Sequence, residues 1–184
     1  MRRFFVVSFA LLLVGGLIAC SGGSGLDNTG VPVFLTVDVS ENNPEINVCV
    51  PGIDVVVTKM TIESKPKDPG GSLSANQDVN LRDWVVTPER EDGGTVASPV
   101  WQTQQQVLVA AGGTATLENY RVYPAEYLEQ APFNYLFPEN GGFDPETGAA
   151  SIRETLNLVI SGRTVSGKTI STPRVPLQYR FYCN

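Results

Sequence analysis

Apolar and polar residues alternate along most of the chain after residue 30, which is typical of half-buried β-strands. The last segment is the clearest case, because one of its faces carries Val175, Leu177, Tyr179, Phe181 and Cys183. Segments with this period of two predict seven to eight strands, with a proline-bearing edge strand first. They cover residues 31–39, 53–63, 79–88, 95–101, 105–111, 114–122, 152–160 and 168–183.

One stretch, residues 123–131, has a helical pattern. Pro124 suits a first helical position, Glu126 lies in the first turn, and Pro132 stops the helix. Strands do not alternate with helices along the chain, so the pattern predicts an all-β fold, an antiparallel β-sandwich. We assign residues 31–184 to this single domain, which is long enough for one core.

The first 25 residues have a different composition. Arg2 and Arg3 precede an apolar run that is too short to span a membrane comfortably, as in an export signal. The segment Leu17-Ile18-Ala19-Cys20 resembles the lipobox of bacterial lipoproteins. An ordinary secretory peptide and a twin-arginine signal are the alternative interpretations.

The lipobox resemblance implies a cut before Cys20, which then carries the lipid. Residues 1–19 are then the signal peptide, and residues 20–30 are the lipidated cysteine and a Gly/Ser-rich tether with a reach of about 17 Å. We therefore expect a cell-envelope protein that meets the membrane through its N-terminal lipid. Ser21 after the cysteine resembles the signal for the outer membrane, if the source cell has two membranes.

The charge balance is acidic. The whole chain has a net charge of −6, and removal of Arg2 and Arg3 with the signal peptide makes it −8. Such a surface repels nucleic acid and anionic head groups, so we expect no nucleic-acid partner.

Two cysteines remain after Cys20. In an oxidising compartment Cys49 and Cys183 are expected to form a structural disulfide, because alternating strands bring both to one end of the domain. Two buried free thiols, or a redox or metal site, are the alternatives. The chain has no CxxC spacing and no histidine, which favours the disulfide.

The layout of residues 31–184 resembles the immunoglobulin-like and fibronectin type III-like domains of bacterial surface proteins. The features in common are the strand number, the short helix before the penultimate strand, and the closing hairpin that joins 156–162 to 175–182. The spacing of the cysteines differs from that of antibody domains. A jelly roll and a lipocalin-like barrel are the alternatives.

Catalytic motifs are scarce. The lack of histidine excludes Ser-His-Asp and Cys-His catalysis, and no glycine pair is followed by a phosphate-loop lysine. Glu139, Asp144 and Glu146 share a loop that we interpret as solvated, with Ca²⁺ binding as the alternative. Residues 89–92 are interpreted as a charged turn. We therefore expect no catalytic residues, no metal and no cofactor.

Residues 120–143 are rich in aromatic side chains. This segment is either a lid over the open edge of the sandwich or a face that binds a partner. The candidate partner-binding residues are Tyr120, Tyr123, Tyr127, Phe133, Tyr135 and Phe137.

Three functions are compatible with these features. The first is a non-enzymatic, lipid-anchored binding or assembly module with a protein partner in the envelope, and we favour it. The second is a carbohydrate- or small-ligand-binding lipoprotein that uses Trp84, Trp101 or the aromatic segment. The third is a hydrolase based on paired carboxylates.

Overall fold

The computed structural model describes residues 30–42 and 44–184, with the side chains of residues 41 and 42 left out. The predicted signal peptide, Cys20 and the tether up to residue 29 lie outside the described residues.

Nine strands and one short helix, α1, make up the described fold. The helix is Ala125–Leu128, and two single-turn 3₁₀ segments, Phe133–Leu136 and Pro138–Asn140, follow it. The strands are β1 Val33–Asn42, β2 Glu45–Asn47, β3 Val55–Pro66, β4 Val79–Arg90, β5 Trp101–Val109, β6 Thr114–Tyr123, β7 Ser151–Thr164, β8 Thr169–Ser171 and β9 Val175–Tyr182.

The strands form two sheets. The smaller sheet has the order β1-β3-β6 and is antiparallel. The larger sheet has the order β2-β9-β7-β4-β5, with β8 paired to β7. Its strands are antiparallel except that β2 runs parallel to β9, so this sheet is mixed. The expectation of a purely antiparallel fold of seven to eight strands was wrong in this respect, because the three residues of β2 are too few to show an alternation.

The core lies between the inner faces of the two sheets. Trp84 of β4 is fully buried, and its ring centroid lies 4.6 Å from that of Tyr120 on β6. The Trp84 Nε1–H donates a hydrogen bond to the Gln105 carbonyl at 2.8 Å, so the indole's polar atom has a partner. The alternation of β9 is confirmed, since Leu177, Tyr179 and Phe181 are buried.

Three predicted elements differ from the structure. Residues 95–100 are irregular, and β5 begins at Trp101. The predicted strand 168–183 is divided into β8 and β9 at a break that contains Pro173. The predicted helix 123–131 has a single turn, because Pro132 and Pro138 divide the segment into separate turns.

The disulfide between Cys49 and Cys183 is confirmed. Their Cα atoms are 5.1 Å apart, and the two residues are separated by 134 positions in sequence. Cys49 lies just beyond β2 and Cys183 just beyond β9, so the parallel pairing of these two strands brings the sulfurs together. The bridge therefore closes the end of the larger sheet at which β7 begins.

Candidate functional site

A cleft of about 480 Å³ opens at the disulfide-closed end of the domain. One wall is the segment 48–53, and the other consists of α1 and the turn 137–139, with Cys183 and Asn184 beside them. We call this feature the disulfide cleft. Its volume lies within the range of about 300–1,000 Å³ that is usual for ligand sites.

The first wall is held by the disulfide and by hydrogen bonds to the backbone. The Val48 amide donates to the Tyr182 carbonyl at 2.8 Å, which extends the β2–β9 pairing by one residue. The Cys49 amide donates to Asn47 Oδ1 at 3.1 Å, and the Ile53 amide donates to the Val50 carbonyl at 3.3 Å. A covalent bond and these turn contacts thus fix the wall to the sheet.

The second wall is fixed to the smaller sheet. The Ala125 amide, at the start of α1, donates to Oδ1 of Asp54 at 2.9 Å, just before β3 begins. The Phe137 amide donates to the Asn134 carbonyl at 3.2 Å, and Asn140 Nδ2 donates to the same carbonyl at 2.8 Å. Both walls therefore rest on regular structure, which suits a preformed site.

The chemistry of the cleft is apolar with an acidic rim. Val48 and Leu128 are buried beneath it, Phe137 is half-buried, and Val50 is 44% exposed. Within the described part of the chain, the charged side chains that line it are Glu129 and Glu139. An apolar group with an adjacent positive charge is complementary to this lining.

The six candidate aromatic residues do not form a single surface. Tyr120, Tyr123 and Phe133 are buried, with the Phe133 ring centroid 4.5 Å from that of Phe181. These three rings are packed in the core, so little of their surface is open to a partner. Tyr127, Tyr135 and Phe137 are half-buried, and Phe137 lines the disulfide cleft.

The two tryptophans that were candidates for sugar binding are also buried. Trp84 is fully buried and Trp101 is 7% exposed, so neither indole offers an open face on which a sugar ring could stack. The Tyr123 hydroxyl donates to the Pro99 carbonyl at 2.6 Å, and burial raises its pKa far above the usual value. Tyr123 therefore acts as a neutral anchor of the loop that precedes β5.

A buried charge cluster, consisting of Arg90, Asp92, Asp144 and Glu154, lies at the same end of the larger sheet. Arg90 Nη2 lies 2.8 Å from both Asp92 Oδ1 and Asp144 Oδ2, and these side chains are at most 8% exposed. Glu154 is directly opposite Arg90 in the β4–β7 register and is fully buried.

Two interpretations of the charged segments were wrong. Residues 89–92 are not simply a charged turn, because β4 extends to Arg90 and the Arg90 guanidinium is buried. The loop with Asp144 and Glu146 is also not simply solvated. Asp144 is fully buried, and Glu146 accepts hydrogen bonds from the Thr95 and Val96 amides at 2.6 and 2.8 Å.

The pKa values of the two aspartates are lowered in the cluster. Burial alone raises the pKa of Asp144, but hydrogen bonds from Thr147 and Arg90 outweigh it. The pKa of Asp92 is lowered in the same way, by hydrogen bonds from Arg90 and from the Arg153 amide that exceed the effect of burial. Both carboxylates are therefore ionised partners of the guanidinium at neutral pH.

The pKa of Glu154 is shifted in the opposite direction, upwards. Burial raises its pKa to about 7, and the hydrogen bond that Ser98 Oγ donates at 2.6 Å offsets this only in part. Among the described residues, its Oε2 atom and Arg90 Nη1 have no hydrogen-bond partner. No group of three or more metal-ligating side chains is placed to hold a metal ion in the described part of the chain.

We expect Glu154→Gln to change the pH dependence of stability. Between pH 4.5 and about 7 the folded chain holds a proton on Glu154 that the unfolded chain has released, so stability falls as pH rises through this window. The substitution removes this slope and raises the free energy of unfolding above pH 7 by up to about 3 kcal/mol. Urea unfolding at pH 4.5, 6 and 8 measures it.

The exposed Glu126→Gln on α1 is the control for this experiment, because it removes the same charge without relieving burial. It should leave the slope unchanged. Equal slopes for the Glu154→Gln variant and the wild type would contradict the expectation.

In the described residues no helix is long and apolar enough to cross a membrane. No protein-family model matches the chain, and no curated protein matches it.

Proposed function

We propose that this protein is a non-enzymatic, lipid-anchored binding module of a bacterial cell envelope, and that it holds its partner in the disulfide cleft. The observation that carries the proposal is an apolar cleft with two carboxylates on its rim, with one wall held by the disulfide and the other by hydrogen bonds. The partner we propose is a protein segment with apolar side chains next to a lysine or arginine.

The anchoring part of the proposal rests on the sequence. The lipobox-like segment ends at Cys20, and the other two cysteines form a disulfide, which persists in oxidising compartments. We place the protein in the outer membrane if the source cell has two membranes. We also propose that the two-sheet domain is an immunoglobulin-like sandwich, because its strands are mostly antiparallel and its sheets enclose one core.

The charge of the cleft supports a cationic partner. Glu129 and Glu139 are both exposed at the rim, and the chain as a whole has a net charge of −6. A positive group near the rim gains from both carboxylates, whereas a negative group is repelled by them. A small apolar amine is the second candidate ligand, because the cleft volume of about 480 Å³ suits a small molecule.

The test uses the full chain purified in detergent and two defined peptides, Lys-Leu-Val-Leu and Glu-Leu-Val-Leu. We expect the lysine peptide to bind at least about tenfold more tightly in calorimetry, which corresponds to about 1.4 kcal/mol. The double variant Glu129→Gln/Glu139→Gln should lose this preference. Glu126→Gln is the matched control, since it removes a charge from α1 outside the cleft lining.

Hexylamine tests the small-ligand candidate in the same titration. Flat titrations with both peptides, or an unchanged preference in the double variant, would overturn the protein-segment proposal. Palmitate labelling of the wild type and of Cys20→Ala tests the anchor separately. Label that enters both variants equally, or neither, would overturn the anchor whatever the titrations give.

A further inference from the structure

The end of the domain opposite the disulfide cleft carries a second surface, which consists of residues 65–71, 108–113 and 163–168. We call it the entry end. The registers of the larger sheet bring the end of β5, the start of β4 and the end of β7 together there. The Ser64 amide donates to the Gly113 carbonyl at 2.9 Å, which places the end of β3 beside them. Because β7 has 14 residues, the entry end lies about 40 Å from the end with the cleft.

The chain enters the domain at this end. Lys168 Nζ donates a hydrogen bond to the Gly30 carbonyl at 3.0 Å, and the Lys67 amide donates to the Pro32 carbonyl at 2.9 Å. Gly30 follows Cys20, the proposed lipid attachment site, by ten positions. The proposed anchor therefore joins the domain at the entry end, and the disulfide cleft lies at the far end.

Two apolar side chains are exposed at the entry end. Leu108 and Val165 are each 61% exposed, more than any other large hydrophobic residue in the described part of the chain. Val107 and Val109, the neighbours of Leu108 on β5, are buried, so Leu108 lies on the outer face of the larger sheet. Val165 begins the turn between β7 and β8. Exposed apolar side chains beside cations are typical of surfaces that bind the head-group layer of a membrane.

Charge is distributed unevenly between the two ends. The chain has four lysines, and three of them are at the entry end: Lys65, Lys67 and Lys168. At the disulfide end, residues 123–150 contain five acidic side chains and neither lysine nor arginine. The net charge of −6, which predicts repulsion from anionic head groups, therefore lies mainly at the disulfide end.

The carboxylates near the entry end have partners within the protein. Glu63 Oε2 lies 3.0 Å from Lys65 Nζ. Asp68 Oδ1 and Asp78 Oδ1 accept hydrogen bonds from backbone amides at 3.0 and 2.8 Å. Arg163 adds a further cation, so the cations outnumber the carboxylates among the described residues of this end.

We propose that the entry end rests on a lipid surface with anionic head groups, so that the disulfide cleft faces away from the membrane. This inference depends on the lipid anchor of the proposed function. Leu108 and Val165 contact the head-group layer, and Lys67 and Lys168 lie next to lipid phosphates. The acidic segment 123–150 is several Debye lengths away, because the Debye length is about 8 Å at physiological ionic strength, so its repulsion from the membrane is screened.

The test compares Val165→Trp with Val100→Trp in the full chain, held in nanodiscs of phosphatidylglycerol. The discs also contain a phosphatidylcholine with a nitroxide on its head group, which quenches indoles near the membrane surface. Val100 is 47% exposed and directly precedes β5 at the disulfide end, so it is the matched control. We expect quenching of the indole of Val165→Trp but not of Val100→Trp, with the same background from the buried tryptophans.

The charge part of the proposal is tested in the Val165→Trp chain. Lys67→Gln/Lys168→Gln should remove most of the quenching, because each lysine near an anionic surface favours contact about fivefold. Arg153→Gln/Arg180→Gln removes the same charge from exposed residues at the disulfide end and should leave the quenching unchanged.

Hydrogen exchange of the wild type gives a second readout if a tryptophan variant does not fold. The amides of residues 110–113 and 165–168 should exchange more slowly in discs of phosphatidylglycerol than in discs of phosphatidylcholine. Equal quenching of the two tryptophan variants, or equal exchange in the two lipids, would overturn the membrane contact and leave the anchor standing. A wild type that separates from the discs in gel filtration would overturn both the anchor and the contact.

Discussion

Replacing both Cys49 and Cys183 by alanine should lower the free energy of unfolding by about 5 kcal/mol, as an upper figure. The bridge joins residues 134 positions apart, so it removes a large closure entropy from the unfolded chain. Domains of this size are stable by about 5–15 kcal/mol, so the loss is a large share of the total. Urea unfolding of the double variant and of the wild type at pH 6 measures it.

Cys20→Ala is the control for the disulfide experiment, because Cys20 takes no part in the bridge between Cys49 and Cys183. It should unfold at the same urea concentration as the wild type. A loss below about 1 kcal/mol in the double variant would show that the bridge constrains the unfolded chain little. The double variant should also bind the lysine peptide more weakly, because one wall of the cleft loses its covalent link to β9.

Arg90→Met should cost about 3–5 kcal/mol at pH 7, since it leaves buried carboxylates without their cation. Asp144 is fully buried and Asp92 nearly so, and both lie 2.8 Å from the guanidinium. Methionine keeps an unbranched apolar stem but lacks the guanidinium, so the cost comes mainly from the lost cation and its hydrogen bonds. Chemical unfolding at pH 7 and pH 4 measures it.

The cost of Arg90→Met should shrink at pH 4. Without the guanidinium the pKa values of Asp92 and Asp144 rise, and protonation removes the buried charge. Arg121→Met is the matched control, because its ion pair with Asp54 is 3.7 Å long and half exposed, and such pairs contribute at most about 1 kcal/mol. Equal costs for the two substitutions would contradict a stabilising role for the cluster.

The contribution of the charge cluster to stability is expected to be greatest in mildly acidic solution. The lowered pKa values of Asp92 and Asp144 favour the fold above the range in which aspartate titrates, and this contribution is lost as pH falls through their folded values. Glu154, with its raised pKa of about 7, disfavours the fold as pH rises toward that value. The two effects oppose each other, so the maximum lies between them.

The alternating patterns of β4 and β7 contain an indication of the charge cluster. On β4 the inward positions are Val86, Pro88 and Arg90, and on β7 they are Ile152, Glu154 and Leu156. A charge at an inward position of each of two strands is the sign of a buried ion pair. It was missed because neither pattern reveals that β4 and β7 are neighbours.

Fewer features of the sequence indicate the disulfide cleft than indicate the charge cluster. The cysteine pair was predictable, since two cysteines remained after Cys20. The cleft itself depends on α1 and on the turns after Pro132 and Pro138, whose positions follow from packing against the core by Phe133 and Leu136. Aromatic content alone did not separate the buried rings of this segment from the half-exposed ones.

The sequence by itself determined the β class, the approximate positions of most long strands, the Cys49–Cys183 bridge and the acidic charge, because each depends on local periodicity or on counting residues. The tertiary structure decided the parallel pairing of β2 with β9, the break between β8 and β9, the meeting of Arg90 with Asp144, and the position of β1 at one side of the smaller sheet. These features depend on which segments become neighbours in space. Which segments become neighbours is determined by burial of the whole core, and residues from all parts of the described chain contribute to that core.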